Sequence, residues 1–425
     1  MVNFSQAHNM SSFLQLAILL AIILLAAKAA GYLSTRLGQP SVLGEILVGI
    51  LLGPSLLDIA HASPFSSGTL AETIHELGEL GVLLLMFIAG LELHLHELTR
   101  STRVSALAGS LGVLVPVASG WGLGLLFGMP GEAAFMLGLT LGATSVSISA
   151  QTLLEMKVLR SRVGLGLLGA AVFDDVLVIL LLSGFLAVLE GSTSLTTLLI
   201  VLGRMVLFLV ASLAFGWWVL PRLARLAARL PISQGVLSLA IIVMIIYGVA
   251  AELLGGMAAI TGAFLAGLMF ARSHEKERME AGIHSLAYGF FVPIFFISIG
   301  LSVNLRAFDP LAVWLTLAVI LTALVSKFLG SGLGARLGGM NWRESWQLGA
   351  GMISRGEVGL IVANVGIRQG LVDQNELSAI VFMVMISTLL TPPLLRLFFK
   401  ERPSRQESAD VNENPEKPDK AKERA

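Results

Sequence analysis

Long apolar runs separated by short polar loops repeat along the chain up to about residue 400. Most runs hold roughly twenty residues, the helix length that crosses the ~30 Å hydrocarbon core of a bilayer. The ninth run is short, so we expect that helix to be tilted or partly broken. The pattern predicts an all-α polytopic membrane protein with thirteen transmembrane helices, at about residues 13–35, 41–59, 77–97, 104–128, 132–156, 162–190, 194–221, 234–254, 257–272, 283–302, 311–336, 344–368 and 375–399.

Composition agrees with this pattern and narrows the chemistry. The 425 residues are 55% hydrophobic and only 13% charged, whereas a soluble protein carries about 25% charged residues. Cysteine is absent, which excludes disulfides, thiolate metal sites and thiol catalysis. The sequence also lacks a P-loop, a strand–GxGxxG–helix unit and an HExxH motif, so we expect neither an enzyme nor a bound cofactor. Residues 401–425 are charged and without apolar periodicity, which predicts a disordered tail.

Basic residues alternate from loop to loop and so predict the orientation. The intervening loops hold only Arg306 and Arg368. Because cytoplasmic loops carry an excess of Lys and Arg, the N-terminus is expected outside and the C-terminus in the cytoplasm. The basic loops carry Arg36, Arg100, Arg103, Lys157, Arg160, Arg162, Arg222, Arg225, Arg229, Arg272, Lys276, Arg278, Arg336, Arg343 and Lys400.

Two adjacent carboxylates, Asp174 and Asp175, interrupt the sixth apolar run. The nearest charged residues along the chain are Arg162 and Glu190, so roughly 20 Å of apolar helix lies on either side. One central Asp costs about 2.5–3.5 kcal/mol on insertion scales. The pair is therefore a candidate working centre, and the alternative is a structural ion pair with a deep basic residue.

Segments 4–6 and 11–13 look like counterparts of opposite topology. The middle member of each triplet is interrupted: segment 5 contains Leu141–Gln151, rich in small and hydroxylated residues, and segment 12 contains Gly349–Gly359, with Gly, Arg and Glu. Breaks in corresponding positions of inverted halves indicate the binding site of a secondary transporter. We expect the two interrupted helices to cross near the midplane, with the aspartates entering from segment 6 and Lys327 from segment 11.

Several stretches together resemble a known family. The chain is similar to the membrane domain of the monovalent cation:proton antiporter-2 superfamily, the Kef-type and NapA-like antiporters. The resemblance implies a NapA-like fold in residues 1–400, with core helices at about 77–190 and 283–399 and the remaining helices forming a panel that makes a homodimer. The matching stretches are GEILVGILLGPSLL (Gly44–Leu57), FIAGLEL (Phe87–Leu93), FDDVL (Phe173–Leu177), FFISIGLSVNL (Phe295–Leu305) and GMISRGEVGLIVA (Gly351–Ala363).

The resemblance also implies roles for the charged residues. Asp175 resembles the carboxylate that binds the cation and the proton, and Asp174 resembles its neighbour, which pairs with the lysine that Lys327 matches. Glutathione-gated potassium members have a Gln-Asp pair and a nucleotide-binding domain. The Asp-Asp pair and short tail of this chain favour a sodium-type antiporter without nucleotide gating, with Na⁺ held by Asp174 and Asp175.

Four further residues match the interrupted segments of the family. Thr144 and Ser145 fall on the unwound part of segment 5 that lines the site, and their hydroxyls could instead bond back to their own helix. Arg355 and Glu357 fall on the RGE element of the second interrupted helix. Their alternative role is a structural pair that closes a helix end.

The predicted chemistry is competition between a cation and protons for one buried carboxylate. Sodium is a hard cation that prefers oxygen ligands. If Lys327 also releases its proton, two protons exchange for one cation, and each cycle moves one net charge. The sequence thus predicts electrogenic Na⁺/H⁺ exchange, with Li⁺ or K⁺ as further candidates, in a bacterial inner membrane and serving pH homeostasis. A K⁺/H⁺ antiporter, a sodium-coupled symporter and a cation channel remain as alternatives.

Overall fold

A computed structural model describes residues 11–59, 65, 69–92, 101–189, 195–273, 275–302 and 313–399, and these ranges contain helices and no β-strand. The predicted disordered tail, 401–425, lies outside the described residues. Helices in the described ranges are α1 (Ser12–Arg36), α2 (Ser41–Leu52), α3 (Leu70–Leu91), α4 (Thr102–Leu126), α5 (Gly131–Gly142), α6 (Val146–Glu155), α7 (Arg162–Leu189), α8 (Leu195–Trp218), α9 (Leu220–Arg229), α10 (Gly235–Ala250), α11 (Ala259–Phe270), α12 (Lys276–Leu286), α13 (Val292–Leu301), α14 (Val313–Leu337), α15 (Trp342–Gly351), α16 (Glu357–Arg368) and α17 (Gln374–Phe399).

Ten helical segments in the described ranges are long and apolar enough to cross a membrane. One of them joins α5 to α6, and two others contain the π-helical turns Ala251–Gly255 after α10 and Ala287–Phe291 before α13. The second and ninth predicted spans contain only the shorter apolar helices α2 and α11, and the twelfth is divided between the short helices α15 and α16. The all-helical membrane architecture is therefore confirmed, and the count of thirteen crossings stays a prediction.

Both predicted interruptions are present. α5 ends at Gly142 and α6 begins at Val146, with extended backbone at Ala143 and Ser145. α15 ends at Gly351 and α16 begins at Glu357. Broken backbone at membrane depth needs partners inside the protein because lipid offers none. Backbone groups of each break form hydrogen bonds with residues at the other break.

The two triplets pack around a central pair of antiparallel helices. α4 packs along α14, and it also contacts α5 and α7. α14 packs in the same way against α15 and α17. Buried small residues on α4, among them Ser105, Ala108, Gly109 and Gly112, permit close contacts, as is usual where helices associate in membranes.

A second group of helices packs beside the triplets. α3 runs along α11 and contacts α13, while α2 packs between α1 and α13, and α10 packs against α11. α8 contacts both α7 and α11 and so lies between the two groups. A side-chain hydrogen bond also joins α7, which carries the aspartates, to α11 of the second group.

Candidate cation site

The two aspartates lie in the middle of α7 and are both buried, with 1% of Asp174 and 7% of Asp175 exposed. Successive residues on an α-helix point about 100° apart. The two carboxylates therefore face different neighbours. Asp174 faces α14, and Asp175 faces α11.

Asp174 forms an ion pair with Lys327 of α14. The Nζ atom of Lys327 lies 2.9 Å from Oδ1 of Asp174, and both side chains are almost fully buried. Nζ also donates to the carbonyl oxygen of Gly142 at 2.7 Å. The structure thus brings together the two residues that the sequence pairs, and it adds a carbonyl at the end of α5 as a second acceptor.

Asp175 accepts a hydrogen bond from a residue that the sequence interpretation missed. The hydroxyl Oγ1 of Thr261 donates to Oδ2 of Asp175 at 3.1 Å. Thr261 lies in the first turn of α11, which is the short ninth segment. In the sequence, Thr261 is marked only as a hydroxyl residue before Gly262 in an apolar run. Such residues are common in membrane helices, so the pattern does not single out a site residue.

The two interruptions hold each other in place. The backbone N–H of Ser145 donates to the carbonyl of Ser354 at 3.0 Å, and Oγ of Ser354 donates to the carbonyl of Ser145 at 2.5 Å. Oγ of Ser149, in α6, donates to the carbonyl of Gly351 at 2.5 Å. The predicted meeting of the two interrupted helices is therefore present, through backbone groups that each helix leaves unpaired at its break.

Arg355 is fully buried and binds carbonyl oxygens. Its two terminal nitrogens donate to Ala143 at 2.9 Å and to Ala323 at 3.2 Å. Since Lys327 binds the neighbouring carbonyl of Gly142, two cations lie at the C-terminal end of α5. The helix dipole is negative at that end, so both positive charges are stabilised there.

Buried oxygen atoms that could bind a cation lie on α7, in the first interruption and at the start of α6. Oδ2 of Asp174 and the hydroxyls of Thr144 and Ser147 are buried, and none of them closes a hydrogen bond of standard geometry within the described part of the chain. The Thr144 hydroxyl still interacts electrostatically with Asp174. Leaving buried polar atoms unpaired costs about 1–3 kcal/mol each. A hard cation with oxygen ligands would satisfy them.

Glu357 and Ser145 are the two remaining predicted site residues. The backbone of Glu357 begins α16, and its side chain lies outside the described residues. Ser145 contributes its backbone to the crossing and is fully buried. The structure thus places Lys327 in contact with Asp174, with Thr144 and Arg355 near that carboxylate, and it places Ser145 in the contact between the two interruptions.

Crossed interrupted helices beside buried carboxylates are the architecture of a secondary transporter of the membrane. The chain belongs to the family described as "Sodium/hydrogen exchanger, transmembrane", whose family model matches residues 18–401. The resemblance to cation:proton antiporters is confirmed.

Similar proteins cover almost the whole chain. The probable Na⁺/H⁺ antiporter GerT and the Na⁺/H⁺-K⁺ antiporter GerN, both of Bacillus cereus, are each 41% identical, over 89% of this chain and 98% and 95% of their own lengths. A Na⁺/H⁺ antiporter of Enterococcus hirae is 34% identical over 90% of this chain and 98% of its own. Among solved structures, the sodium proton antiporter MjNhaP1 of Methanocaldococcus jannaschii shares the fold, with a TM-score of 0.63 at 15% identity, covering 91% of this chain and 97% of that one.

Proposed function

We propose that this protein is a secondary antiporter that exchanges Na⁺ for protons across the membrane. The observation that carries the proposal is the buried pair Asp174–Asp175 at the crossing of two interrupted helices, with Lys327 paired to one member. The names of the similar proteins support the same exchange. We expect no cofactor, because the carboxylates bind and release the exchanged Na⁺ and protons directly.

In the proposed cycle, Asp175 binds either a proton or the cation. Asp174 is held ionised by Lys327 when the site is empty of cation. When Na⁺ arrives, Asp174 turns its second oxygen and its charge towards the ion, and Lys327 releases its proton. Two protons, one from Asp175 and one from Lys327, then leave for each Na⁺ that binds. Thr144 supplies a further hydroxyl oxygen, and Arg355 keeps the end of α5 in position.

Potassium is the second candidate substrate. One of the similar proteins, GerN, is named a Na⁺/H⁺-K⁺ antiporter and is 41% identical. The proposed ligand set is made of carboxylate and hydroxyl oxygens, which bind both alkali cations. Selectivity between them depends on cavity size and ligand number.

The proposed architecture has thirteen crossings, with the N-terminus outside, the C-terminus in the cytoplasm and a homodimer in the cell membrane. The triplets 102–189 and 313–399 form the core. The sequence-based division also placed α3 and α13 in the core. Because α3 packs along α11 and α13 packs on α2, we assign both helices to the panel instead.

Proteoliposomes with an entrapped pH dye test this function. Na⁺, Li⁺ or K⁺ added to acid-loaded vesicles should release protons in the wild type, and Asp175→Asn should abolish the release because an amide cannot hold a proton and a cation in turn. Glu252→Gln is the matched control, since it removes an exposed carboxylate outside the site. Proton release by Asp175→Asn at the wild-type rate would exclude the proposed centre.

A further inference from the structure

Thr261 contacts the candidate cation site from outside the two triplets. Its hydroxyl donates to Oδ2 of Asp175 at 3.1 Å, and both residues are more than nine-tenths buried. A threonine hydroxyl has one donor hydrogen and two acceptor lone pairs. The same oxygen can therefore donate to a bare carboxylate or turn a lone pair to a cation that the carboxylate holds.

The position of Thr261 is set by the panel and not by α7. A Cβ atom on Gly90 of α3 would lie 2.1 Å from the carbonyl oxygen of Phe264, and one on Gly267 of α11 would lie 2.0 Å from that of Phe87. The two backbones therefore touch where residues 87–91 meet residues 264–268, an approach that only glycine at these positions permits. α11 is thus closely packed on α3. We therefore expect Thr261 to stay with α3 and α11 when the triplets move.

We propose that Thr261 is a cation ligand and a determinant of ion specificity, supplied by the panel to an ion that the core carries. This proposal rests on the proposed exchange function. When Na⁺ is bound to Asp175, Oγ1 of Thr261 coordinates it. When no cation is bound and Asp175 is ionised, the hydroxyl donates to its carboxylate. When Asp175 is protonated, the carboxyl O–H can donate to Oγ1.

The location of this ligand has a consequence for the transport cycle. Any displacement of the triplets relative to α3 and α11 takes Asp175 away from Thr261. The cation is then bound by Oγ1 of Thr261 when the site opens to one side of the membrane, and it lacks this ligand when the site opens to the other side. A ligand shifts a conformational equilibrium only by its differential affinity for the two states, and Thr261 provides such a difference between the conformation in which it contacts Asp175 and the one in which it does not.

Two variants distinguish a Thr261 hydroxyl that binds the cation from one that only stabilises the fold. Thr261→Val keeps the shape and removes the hydroxyl, while Thr261→Ser keeps the hydroxyl. Loss of one oxygen partner of an ionised group should raise the KM for Na⁺ about 10- to 100-fold in Thr261→Val. Thr261→Ser should stay within about threefold. The smaller cations Li⁺ and Na⁺ should be affected more than K⁺, because their shorter bonds to oxygen are stronger.

The matched control is Thr316→Val, which removes another buried hydroxyl, at the start of α14. It should leave the KM for Na⁺ and the preference among cations unchanged. Dye-loaded proteoliposomes give both values at fixed pH. A purely structural bond would lower thermal stability in Thr261→Val while leaving KM and cation preference at their wild-type values, and that result would overturn the proposal.

A wild-type measurement keeps the test valid if Thr261→Val does not fold. Hydrogen–deuterium exchange at the first turn of α11 should slow when Na⁺ is added and should not change with choline. Equal exchange with and without Na⁺ contradicts the proposal. If wild-type vesicles show no cation–proton exchange, the proposed function fails; if they do and Asp175→Asn is inactive while Thr261→Val behaves as wild type, only the role of Thr261 fails.

Discussion

At the scale of single residues, the site depends on charges that are buried together. Lys327 and Asp174 are 0% and 1% exposed and lie 2.9 Å apart. Burying one charge without the other is costly, because neither water nor a counter-ion then compensates it. The pair is consequently a stability element of the resting protein as well as a proposed part of the exchange.

Removing Lys327 alone should therefore destabilise the protein strongly. Lys327→Met leaves Asp174 as an uncompensated buried charge, which costs about 3–5 kcal/mol, and the apparent melting temperature in detergent should fall accordingly. The double variant Asp174→Asn/Lys327→Met should recover much of the loss, since neither member of the pair is then left charged without the other. Arg103→Met, at an exposed position, is the control. Equal melting temperatures for the single and double variants would show that the pair is not coupled.

At the scale of elements, two short polar breaks decide how the helices cross. The backbone N–H of Ser145 donates to the carbonyl of Ser354, and the hydroxyl of Ser354 donates to the carbonyl of Ser145, so the two breaks satisfy each other. Gly356, two residues after Ser354, faces Ser145. A Cβ atom at Gly356 would lie 2.6 Å from Cβ of Ser145, closer than two carbon atoms can approach without displacement.

Gly356→Ala should force the two interrupted segments apart. Overpacking of this kind costs about 1–3 kcal/mol, and it should lower both the melting temperature and the maximal exchange rate. Gly359→Ala is the matched control, because its added Cβ would lie 3.7 Å from the nearest atom, the carbonyl oxygen of Thr140. If both variants retain wild-type stability and rate, the crossing is more adaptable than the contacts indicate.

A second element-scale feature is a helix cap supplied from a distance. α2 begins after Pro40, whose side chain cannot cap it. Instead, the carboxylate of Glu155 at the end of α6 accepts the backbone N–H of Ser41 at 2.8 Å and its hydroxyl at 2.5 Å. The start of α2 is thereby tied to α6, one half of an interrupted segment.

Glu155→Ala should loosen the first turn of α2. Loss of a capping group costs about 0.5–2 kcal/mol, so backbone amides in the first turn should exchange with deuterium several-fold faster. Glu132→Ala removes an exposed carboxylate in the first turn of α5 and should leave α2 unchanged. Unaltered exchange in Glu155→Ala would mean that water replaces the cap without cost.

At the scale of the whole molecule, the proposed stoichiometry couples exchange to the membrane potential. If two protons move against one Na⁺, each cycle transfers one net charge. That charge is worth about 2.3 kcal/mol per 100 mV, so the potential should drive exchange as effectively as a pH gradient of similar energy.

An imposed potential should therefore change the exchange rate. In vesicles with a potassium diffusion potential set by valinomycin, the Na⁺-driven proton flux is expected to rise when the potential favours the net charge movement and to fall when the potential is reversed. Choline in place of Na⁺, at the same potassium gradient, controls both for proton leak and for K⁺–H⁺ exchange by the protein. Flux that is independent of the potential would establish an electroneutral one-for-one exchange.

Much of this molecule could be predicted from its sequence because charged residues and helix breaks inside a membrane segment cost free energy and therefore stand out from the apolar pattern. The buried Asp174–Asp175 pair, the deep Lys327 and the paired interruptions at 143–145 and 352–356 all cost free energy in lipid, so each was visible as an anomaly. The helical class followed from the same cause, since only helices satisfy a long apolar backbone there.

Only the tertiary structure decided which groups meet. The bond from Thr261 to Asp175, the carbonyls that Lys327 and Arg355 select, and the cap that Glu155 places on α2 all join segments far apart in the chain. Hydroxyls and carbonyls are common in membrane helices and cost little when they bond locally. Their partners therefore depend on how closely the helices approach one another, and apolar periodicity carries no record of that distance.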